Sequence, residues 1–369
     1  MKMWLGFILF LITACNLKSE NHELTSHQYV PNINNFEIKY AKGFEIIQND
    51  SVVQLNILSL STKYPFFDSL CFPKIKLSMP HKSMNEKWSR IACQSSTHAI
   101  FTHALNQTEK IVGLCDMAFM PKDSLFNILE NLNVKELNKN GTVNTERLLS
   151  TLPDIFLIYP FELNSKKYEA IQVKTLLIPE YLEQTPLARL EWIKCFGLLL
   201  DKVNLAHTIF NRVDTTYQSL KVKTDTNKTV FFNLPFKDEW FMPATQSITV
   251  NLAKDAGFNY IYDNGTQNSA DNLTLSKEYV WNSAINAEYW VIIAHHPNGF
   301  SLLDLTKEDP IYNEFTAVKK KQVIYCNTSK TSYFTTGILE PDMMLKDLLF
   351  LTGQLNELNY TPKYFHFLK

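Results

Sequence analysis

The chain has 369 residues, and its composition is that of an ordinary folded protein, with 45% hydrophobic and 20% charged residues. Lys and Arg (36) almost balance Asp and Glu (37), so a formal net charge of -1 gives no electrostatic basis for binding nucleic acid. The ten glycines form no GxxxxGK or GxGxxG phosphate loop, which argues against nucleotide chemistry. At roughly 100–200 residues per domain, this length predicts two lobes.

The first fifteen residues have the pattern of a lipoprotein signal peptide. A basic start at Lys2 precedes an apolar run over residues 4–12, which is much shorter than the roughly 20 residues that span a membrane. The sequence LITAC at residues 11–15 resembles a bacterial lipobox, which implies lipidation of Cys15 after cleavage. The alternative is a secretory signal that is cleaved elsewhere, with loss of Cys15. We predict a periplasmic lipoprotein that is anchored to a membrane, with a polar tether over residues 16–35.

Five further cysteines would be exposed to an oxidising compartment after export. Their number is odd, they are widely spaced, and no CxxC pair occurs, so a disulfide framework is not expected in a chain of this size. We predict that most are buried as small hydrophobic side chains; they are Cys71, Cys93, Cys115, Cys195 and Cys326.

The N-terminal lobe is predicted over residues 36–184. Short apolar runs typical of strands occur at residues 52–58, 90–93, 110–114 and 154–159. Helical patterns at residues 98–105 and 124–132 lie between them. Strands that alternate with helices predict a parallel sheet covered on both faces, and therefore an α/β lobe.

A long helical pattern over residues 185–217 is predicted to connect this lobe to a second one. Thr185 is suited to cap the helix, and Pro186 to occupy its first position. The C-terminal lobe, residues 218–369, repeats the alternation, with predicted strands at 228–233, 289–293 and 323–326 and helices at 247–256 and 341–351. The predicted fold class is therefore α/β, with two lobes joined by one long connecting helix.

Several segments, in the same order along the chain, resemble those of the class III periplasmic binding proteins, and in particular of their Bacteroidetes lipoprotein branch. The resemblance extends from about Phe36 to Lys369. Its segments are SSTHAIF at 95–101, KIVG at 110–113, NTERLL at 144–149, LPDI at 152–155, TPLARLEWIK at 185–194, NLPF at 233–236, WFMP at 240–243, DAG at 255–257 and the stretch 337–348. It implies two Rossmann-like lobes with central parallel sheets, a rigid connecting helix and a ligand cleft between the lobes.

The resemblance also implies a function. Proteins of this class serve ABC importers of iron-siderophores, haem and cobalamin, so we expect a monomeric binding protein, without a cofactor, that captures a metal chelate and delivers it to a permease. Cobalamin is the main alternative ligand. An exported hydrolase with Ser, His and Asp is disfavoured because no GxSxG motif occurs. A sensor or adhesin that kept the fold without the transport role is the remaining alternative.

Ligand contacts are predicted at two places. Ser96, Thr97 and His98 follow a predicted strand at the head of a helix, where ligands bind in open parallel sheets. The alternative is that Ser96 or Thr97 only caps the helix and that His98 is solvated. Trp240 and Phe241 lie where the resemblance implies an aromatic residue in the cleft, and the alternative is an aromatic packed in the core of the lobe.

Two departures from the family pattern affect the predicted pocket. Gln246 and Ser247 end the segment ATQS, where the family usually has two glycines, Asn and Ser, and we include both as ligand-binding candidates. The segment TSYFTT at 331–336 replaces an acidic segment of the family, so the aromatic residue survives as Tyr333 or Phe334 without the acid. We take Tyr333 as the ligand-binding candidate and expect a changed ligand.

Permease docking in this family uses one surface carboxylate from each lobe, which implies Glu162, with Glu169 in reserve, and Glu278. The alternative for each is an ordinary solvated glutamate. His295 and His296 are adjacent, and adjacent side chains on a strand point to opposite faces. We therefore predict no metal site in the protein itself.

Overall fold

The computed structural model describes residues 37–48, 52–60, 67–73, 88–115, 117–139, 141–160, 165–222, 227–263 and 272–369. The predicted anchor Cys15, the tether and Glu162 lie outside the described residues. Within those residues, no helix combines the length and the apolar character that crossing a membrane requires.

The N-terminal half contains an antiparallel and a parallel sheet. Strands β1 (Phe44–Gln48), β2 (Val52–Leu58) and β3 (Phe67–Pro73) form the antiparallel one. There follow β4 (Ile91–Cys93), α1 (Ser96–Ala104), β5 (Ile111–Leu114), α2 (Ser124–Asn131), β6 (Lys135–Glu136), β7 (Asn138–Lys139), β8 (Thr142–Val143), α3 (Thr145–Ser150), β9 (Ile155–Ile158), α4 (Ser165–Glu169) and β10 (Thr175–Leu177). The parallel sheet has the strand order β10-β9-β4-β5-β6.

The C-terminal half follows a pair of helices, α5 (Pro186–Leu199) and α6 (Val203–Leu220). Its elements are β11 (Lys228–Phe232), β12 (Glu239–Met242), α7 (Ile248–Asp255), β13 (Phe258–Tyr260), β14 (Leu273–Ser276), α8 (Lys277–Ala284), β15 (Tyr289–Ala294), α9 (Leu302–Glu308), α10 (Thr316–Lys319), β16 (Val323–Asn327), α11 (Thr336–Leu339), α12 (Pro341–Leu351) and β17 (His366–Phe367). The second sheet has the order β13-β11-β15-β16-β17, in which only β17 is antiparallel.

Both parallel sheets lie in the interior of their lobes. Every residue of β9 and of β16 is buried, as expected for strands that helices cover on both faces. The predicted α/β class with two lobes and central parallel sheets is therefore confirmed.

The connection predicted as one long helix, residues 185–217, is helical over two segments with a turn between them. Asp201 adopts a left-handed conformation (φ 56°), and the amide of Lys202 donates to the carbonyl of Gly197 (2.7 Å), which ends α5. A Cβ atom on Gly197 would lie 2.6 Å from that of Ala206, so the glycine lets α6 pack closely against α5. The apolar spacing continues through this turn, and for that reason the sequence pattern does not reveal it.

A short segment near the N-terminus, residues 37–43, crosses these helices, and we call it the N-terminal strap. The buried carboxylate of Glu191 on α5 accepts from the amides of Lys39 (2.8 Å), Tyr40 (2.7 Å) and Ala41 (2.9 Å). It also accepts from the ammonium of Lys194 (2.6 Å), whose side chain is only 1% exposed. One carboxylate thus fixes three consecutive amides and a buried cation.

A second buried carboxylate continues this arrangement. Glu183 precedes α5 and accepts from the amides of Lys42 (3.0 Å) and Gly43 (2.8 Å) and from the indole of Trp192 (3.0 Å). Burial raises the pKa of Glu183 above its usual value, although these three donors act in the opposite direction. Five consecutive strap amides are therefore bound by two glutamates of the interlobe connection.

The C-terminal segment, residues 360–365, is held in the same way by Asp347 on α12. Its fully buried carboxylate accepts from the hydroxyl of Tyr360 and from the amides of Lys363 (3.1 Å), Tyr364 (2.6 Å) and Phe365 (3.0 Å). These bonds satisfy backbone donors that lie next to the edge strand β17.

Four cysteines, Cys93, Cys115, Cys195 and Cys326, are buried, and of these Cys93, Cys195 and Cys326 are free thiols. Burial raises the pKa of the Cys326 thiol to about 12, so this thiol is protonated and unreactive at neutral pH. The side chain of Cys71 lies outside the described residues.

Candidate functional site at the interlobe cleft

The carboxyl ends of the two parallel sheets face each other. Asp123 lies in the loop after β5 and caps α2 through its Oδ1, while Ser332 follows β16 in the other lobe. The hydroxyl of Ser332 donates to Asp123 Oδ2 (2.6 Å) across the boundary between the lobes. Ligands of open α/β sheets bind at this edge of the strands. We call the region between the two edges the interlobe cleft.

The predicted residues at the head of α1 differ in accessibility. Ser95, not Ser96 or Thr97, caps the helix, since its hydroxyl accepts from the amide of Thr97 (3.1 Å). Thr97 and His98 are buried, whereas Ser96 is half-buried. His98 is therefore not solvated, and Ser96 is the member of this group with accessible surface at the cleft edge.

Thr97 and His98 both point to Glu180, a fully buried carboxylate that follows β10. Thr97 donates to Oε1 (2.7 Å), Arg189 Nη2 lies 3.2 Å from the same oxygen, and His98 Nε2 lies 3.7 Å from Oε2. Burial alone would raise the pKa of Glu180, but its contacts with His98 and Arg189 outweigh burial and hold that pKa below its usual value. Glu180 is therefore ionised at neutral pH and joins α1 to α5.

Glu180→Gln is expected to lower the free energy of unfolding by about 2 kcal/mol at neutral pH, because hydrogen bonds to a charged acceptor are lost. The folded-state pKa of Glu180 lies below its unfolded value, so this contribution is present above about pH 4.5 and is lost as the pH falls further. Urea unfolding of wild type and Glu180→Gln at pH values above and below this point measures the difference in their free energies of unfolding. This difference should become smaller in acid. A difference that grows in acid would contradict the assignment.

The two aromatic candidates on β12 point to opposite sides, as alternate residues of a strand must. Trp240 is fully buried, its indole donates to the carbonyl of Phe232 (2.9 Å), and its ring packs beside those of Phe231 and Trp290. Trp240 is a core residue of the second lobe, in agreement with the alternative prediction of an aromatic packed in the core. Its side chain offers no surface to a ligand.

Phe241 points outward and is 37% exposed. Its carbonyl accepts from the amide group of Asn233 (2.7 Å), which directly follows the carboxyl end of β11. Phe241 therefore lies beside the edge of the second sheet that faces the interlobe cleft.

Gln246 and Ser247 lie together at the start of α7 and are half-buried. Ser247 caps this helix by accepting from the amide of Val250 (3.3 Å). The side chain of Gln246 accepts from the side-chain amide of Gln184 (2.7 Å). The backbone carbonyl of Gln184 accepts from the side-chain amide of Asn251 (2.7 Å). These contacts attach the second lobe to the connection just before α5.

Tyr333 and Phe334 follow Ser332 at the carboxyl edge of the second sheet. Tyr333 is half-buried, and burial raises the pKa of its hydroxyl above the usual value. Phe334 is 50% exposed and meets Tyr333 edge to face, with ring centroids 5.0 Å apart. Ser96, Phe241, Tyr333 and Phe334 thus all retain surface near the facing edges.

Of the docking candidates, Glu278 is exposed in the first turn of α8, and Glu169 is exposed at the end of α4. The ring of His296 stacks on Phe300, while His295 points to solvent. No cluster of three or more His, Cys, Asp or Glu side chains suited to a metal ion occurs in the part of the chain that the structure describes.

Residues 91–329 match the family described as periplasmic binding protein. This match covers well over half of the chain, and the chain therefore belongs to that family. Its members are substrate-binding, non-enzymatic components of transport systems. A curated relative, an uncharacterised lipoprotein of Methanocaldococcus jannaschii, is 25% identical over 293 residues, which cover 74% of this chain and 67% of the relative.

Solved structures share the fold at low sequence identity. A periplasmic binding protein from Veillonella parvula has a TM-score of 0.58 at 16% identity and covers 85% of this chain and 99% of its own. The siderophore binding protein BauB, solved with two acinetobactin molecules and ferric iron, has a TM-score of 0.56 at 17% identity, with 74% and 95% covered. The vitamin B12 binding protein BtuF of Vibrio cholerae has a TM-score of 0.52 at 14% identity, with 73% and 99% covered.

Proposed function

We propose that this protein is an extracytoplasmic substrate-binding lipoprotein of an ABC importer, which captures a ferric siderophore or a similar metal chelate and delivers it to the permease. The observation that carries the proposal is the pair of parallel sheets whose carboxyl edges face each other, joined by the Ser332–Asp123 hydrogen bond. A ligand held between these edges is contacted from both lobes and loses water on both faces.

Exposed aromatic rings beside these edges support a chelate with apolar or conjugated surface. Phe241 and Phe334 each expose more than a third of their surface. Burying aromatic faces against such a ligand is favourable, and aromatic pairs add about 0.5–1.5 kcal/mol beyond area burial. BauB binds a complex of two acinetobactin molecules and ferric iron, and BtuF binds vitamin B12, so a ferric siderophore is the proposed ligand and cobalamin is the alternative.

The ligand class is tested by tryptophan quenching of the mature lipoprotein in detergent micelles. Ferric siderophores, haemin and cyanocobalamin are titrated separately, and saturable quenching at micromolar or lower concentration is expected with one of them. No saturable quenching by any of the three ligands would contradict the metal-chelate proposal.

Phe241→Ala is expected to weaken binding of the ligand so identified by about tenfold, because it removes an accessible aromatic face at the cleft. The same quenching titration measures this change. Leu358→Ala is the matched control, since Leu358 is 90% exposed outside the described secondary structure, and it should bind as the wild type does. Equal affinities of Phe241→Ala and wild type would remove Phe241 from the site.

Membrane attachment through Cys15 and permease docking through Glu162 and Glu278 complete the proposal. Two acyl chains or more on one cysteine give stable anchoring where a single chain does not. Surface carboxylates can pair with cationic groups of a permease, which orients the encounter more than it adds affinity. Cys15→Ser should abolish incorporation of labelled fatty acid and release the protein from the membrane fraction. A variant that is still labelled and still found in the membrane fraction would exclude lipidation at Cys15.

A further inference from the structure

Arg189 is a cation in the first turns of α5, at the junction of the two lobes. Its side chain is 17% exposed, and Nη2 donates to Glu180 Oε1 (3.2 Å). A guanidinium group carries five N–H donors in a planar fork. The buried Nε of Arg189 has no hydrogen-bond partner among the described residues. Within the described part of the chain, this cation therefore donates one hydrogen bond, to Glu180, and its buried Nε donates none.

The position of Arg189 relates it to the facing edges of both sheets. In the first lobe, Tyr159 directly follows β9, and in the second, Tyr333 lies between β16 and α11. Helix α11 packs against α5, which brings the segment after Tyr333 to the helix that carries Arg189. Burial raises the pKa of both tyrosine hydroxyls, and the charge of Arg189 acts on both in the opposite direction. Arg189 thus lies close to the carboxyl edges of both lobes.

The contact with Glu180 does not satisfy the guanidinium. Glu180 also accepts from Thr97 and lies beside His98, so it is shared among three side chains and meets Arg189 through one nitrogen only. A buried donor without a partner costs free energy, and a carboxylate or a similar anionic oxygen fits the guanidinium fork through two parallel bonds.

We propose that Arg189 forms the floor of the interlobe cleft and binds an anionic oxygen of the ligand, such as a free carboxylate on a metal chelate. This inference rests on the proposed function and narrows it, because it favours anionic chelates over neutral ones such as cyanocobalamin. The guanidinium of Arg189 offers hydrogen-bond donors in a fixed planar geometry as well as a charge, so lysine is not an equivalent substitute.

The test compares two ferric chelates of different charge by quenching titration of the mature lipoprotein in micelles. Ferric dicitrate carries free carboxylates and is anionic, whereas ferrichrome is a neutral hydroxamate. Wild type is expected to bind ferric dicitrate at least about tenfold more tightly than ferrichrome, since the ionic hydrogen bonds to Arg189 require the anionic group. Equal or tighter binding of ferrichrome would overturn the inference.

Arg189→Gln is expected to weaken ferric dicitrate binding about tenfold or more and to leave ferrichrome binding unchanged. The affinity of Arg189→Lys for ferric dicitrate should lie between those of wild type and Arg189→Gln. The double variant Glu180→Gln with Arg189→Gln removes both charges and serves where the single variant does not fold. Arg212→Gln is the matched control, because Arg212 is exposed on α6. Unchanged ferric dicitrate affinity in folded Arg189→Gln or double variant would overturn the inference.

The transport function and the role of Arg189 can be distinguished by experiment. Binding of ferrichrome or cyanocobalamin without binding of ferric dicitrate would leave the proposed function standing and remove only the role of Arg189. Binding of no chelate by the folded wild type would overturn both.

Discussion

Glu191→Ala is expected to lower the free energy of unfolding by about 3–5 kcal/mol, the range measured when one partner of a buried ion pair is removed. The carboxylate of Glu191 is fully buried, and its removal leaves the ammonium of Lys194 without its counter-charge. Three consecutive strap amides, from Lys39 to Ala41, lose their acceptor at the same time. No other single side chain in the described structure holds as many strap amides.

Urea unfolding of the mature protein, followed by tryptophan fluorescence, measures this change. Glu314→Ala is the matched control, because Glu314 pairs with Lys319 (2.8 Å) in an exposed ion pair, and such pairs contribute about 0–1 kcal/mol. A loss below about 1 kcal/mol in Glu191→Ala would show that the strap amides find other acceptors, and the strap would then not stabilise the connection.

Asp347→Ala is expected to cost about 3–4 kcal/mol, because it leaves several donors of the C-terminal segment without an acceptor at about 1–3 kcal/mol for each that stays buried. The amides of Tyr364 and Phe365 are the buried ones, and both residues are about 1% exposed. Water reaches the exposed Lys363 more easily, so the costs do not simply add.

Hydrogen exchange locates this effect as well as measuring its size. The amides of Lys363, Tyr364 and Phe365 should lose protection in Asp347→Ala, and β17 should open with them. Asp347→Asn is the control, since its carbonyl oxygen keeps one acceptor and should preserve part of the protection. Full protection of these amides in Asp347→Ala would contradict the role assigned to the carboxylate.

The alternation of strands and helices was enough to predict the two parallel sheets, because buried parallel strands are recognisable as short apolar runs. The start of α5 was also readable, since Thr185 caps the helix, accepting from the amide of Ala188 (3.2 Å), and Pro186 occupies its first position. These features depend on neighbouring residues, which a sequence displays directly.

The candidate site was less accessible to sequence reasoning, because it depends on orientation and on distant contacts. Trp240 and Phe241 are adjacent and chemically alike, and only the pairing of β12 with β14 decides which of them points inward. The strap contacts of Glu191 join residues about 150 positions apart, and no local pattern indicates them. Arg189 was visible as part of TPLARLEWIK, but its unused donors appear only once the lobes are assembled.

Uptake of radioactive iron, supplied as the ferric chelate that the purified protein binds, tests the transport role of this protein in cells. Cells without the gene should lose high-affinity uptake, and the wild-type gene should restore it. The double variant Glu162→Ala with Glu278→Ala should bind the chelate normally and yet fail to restore uptake, because docking on the permease is lost. Unchanged uptake in cells that lack the gene would contradict the transport role and favour a sensor or adhesin that kept the fold.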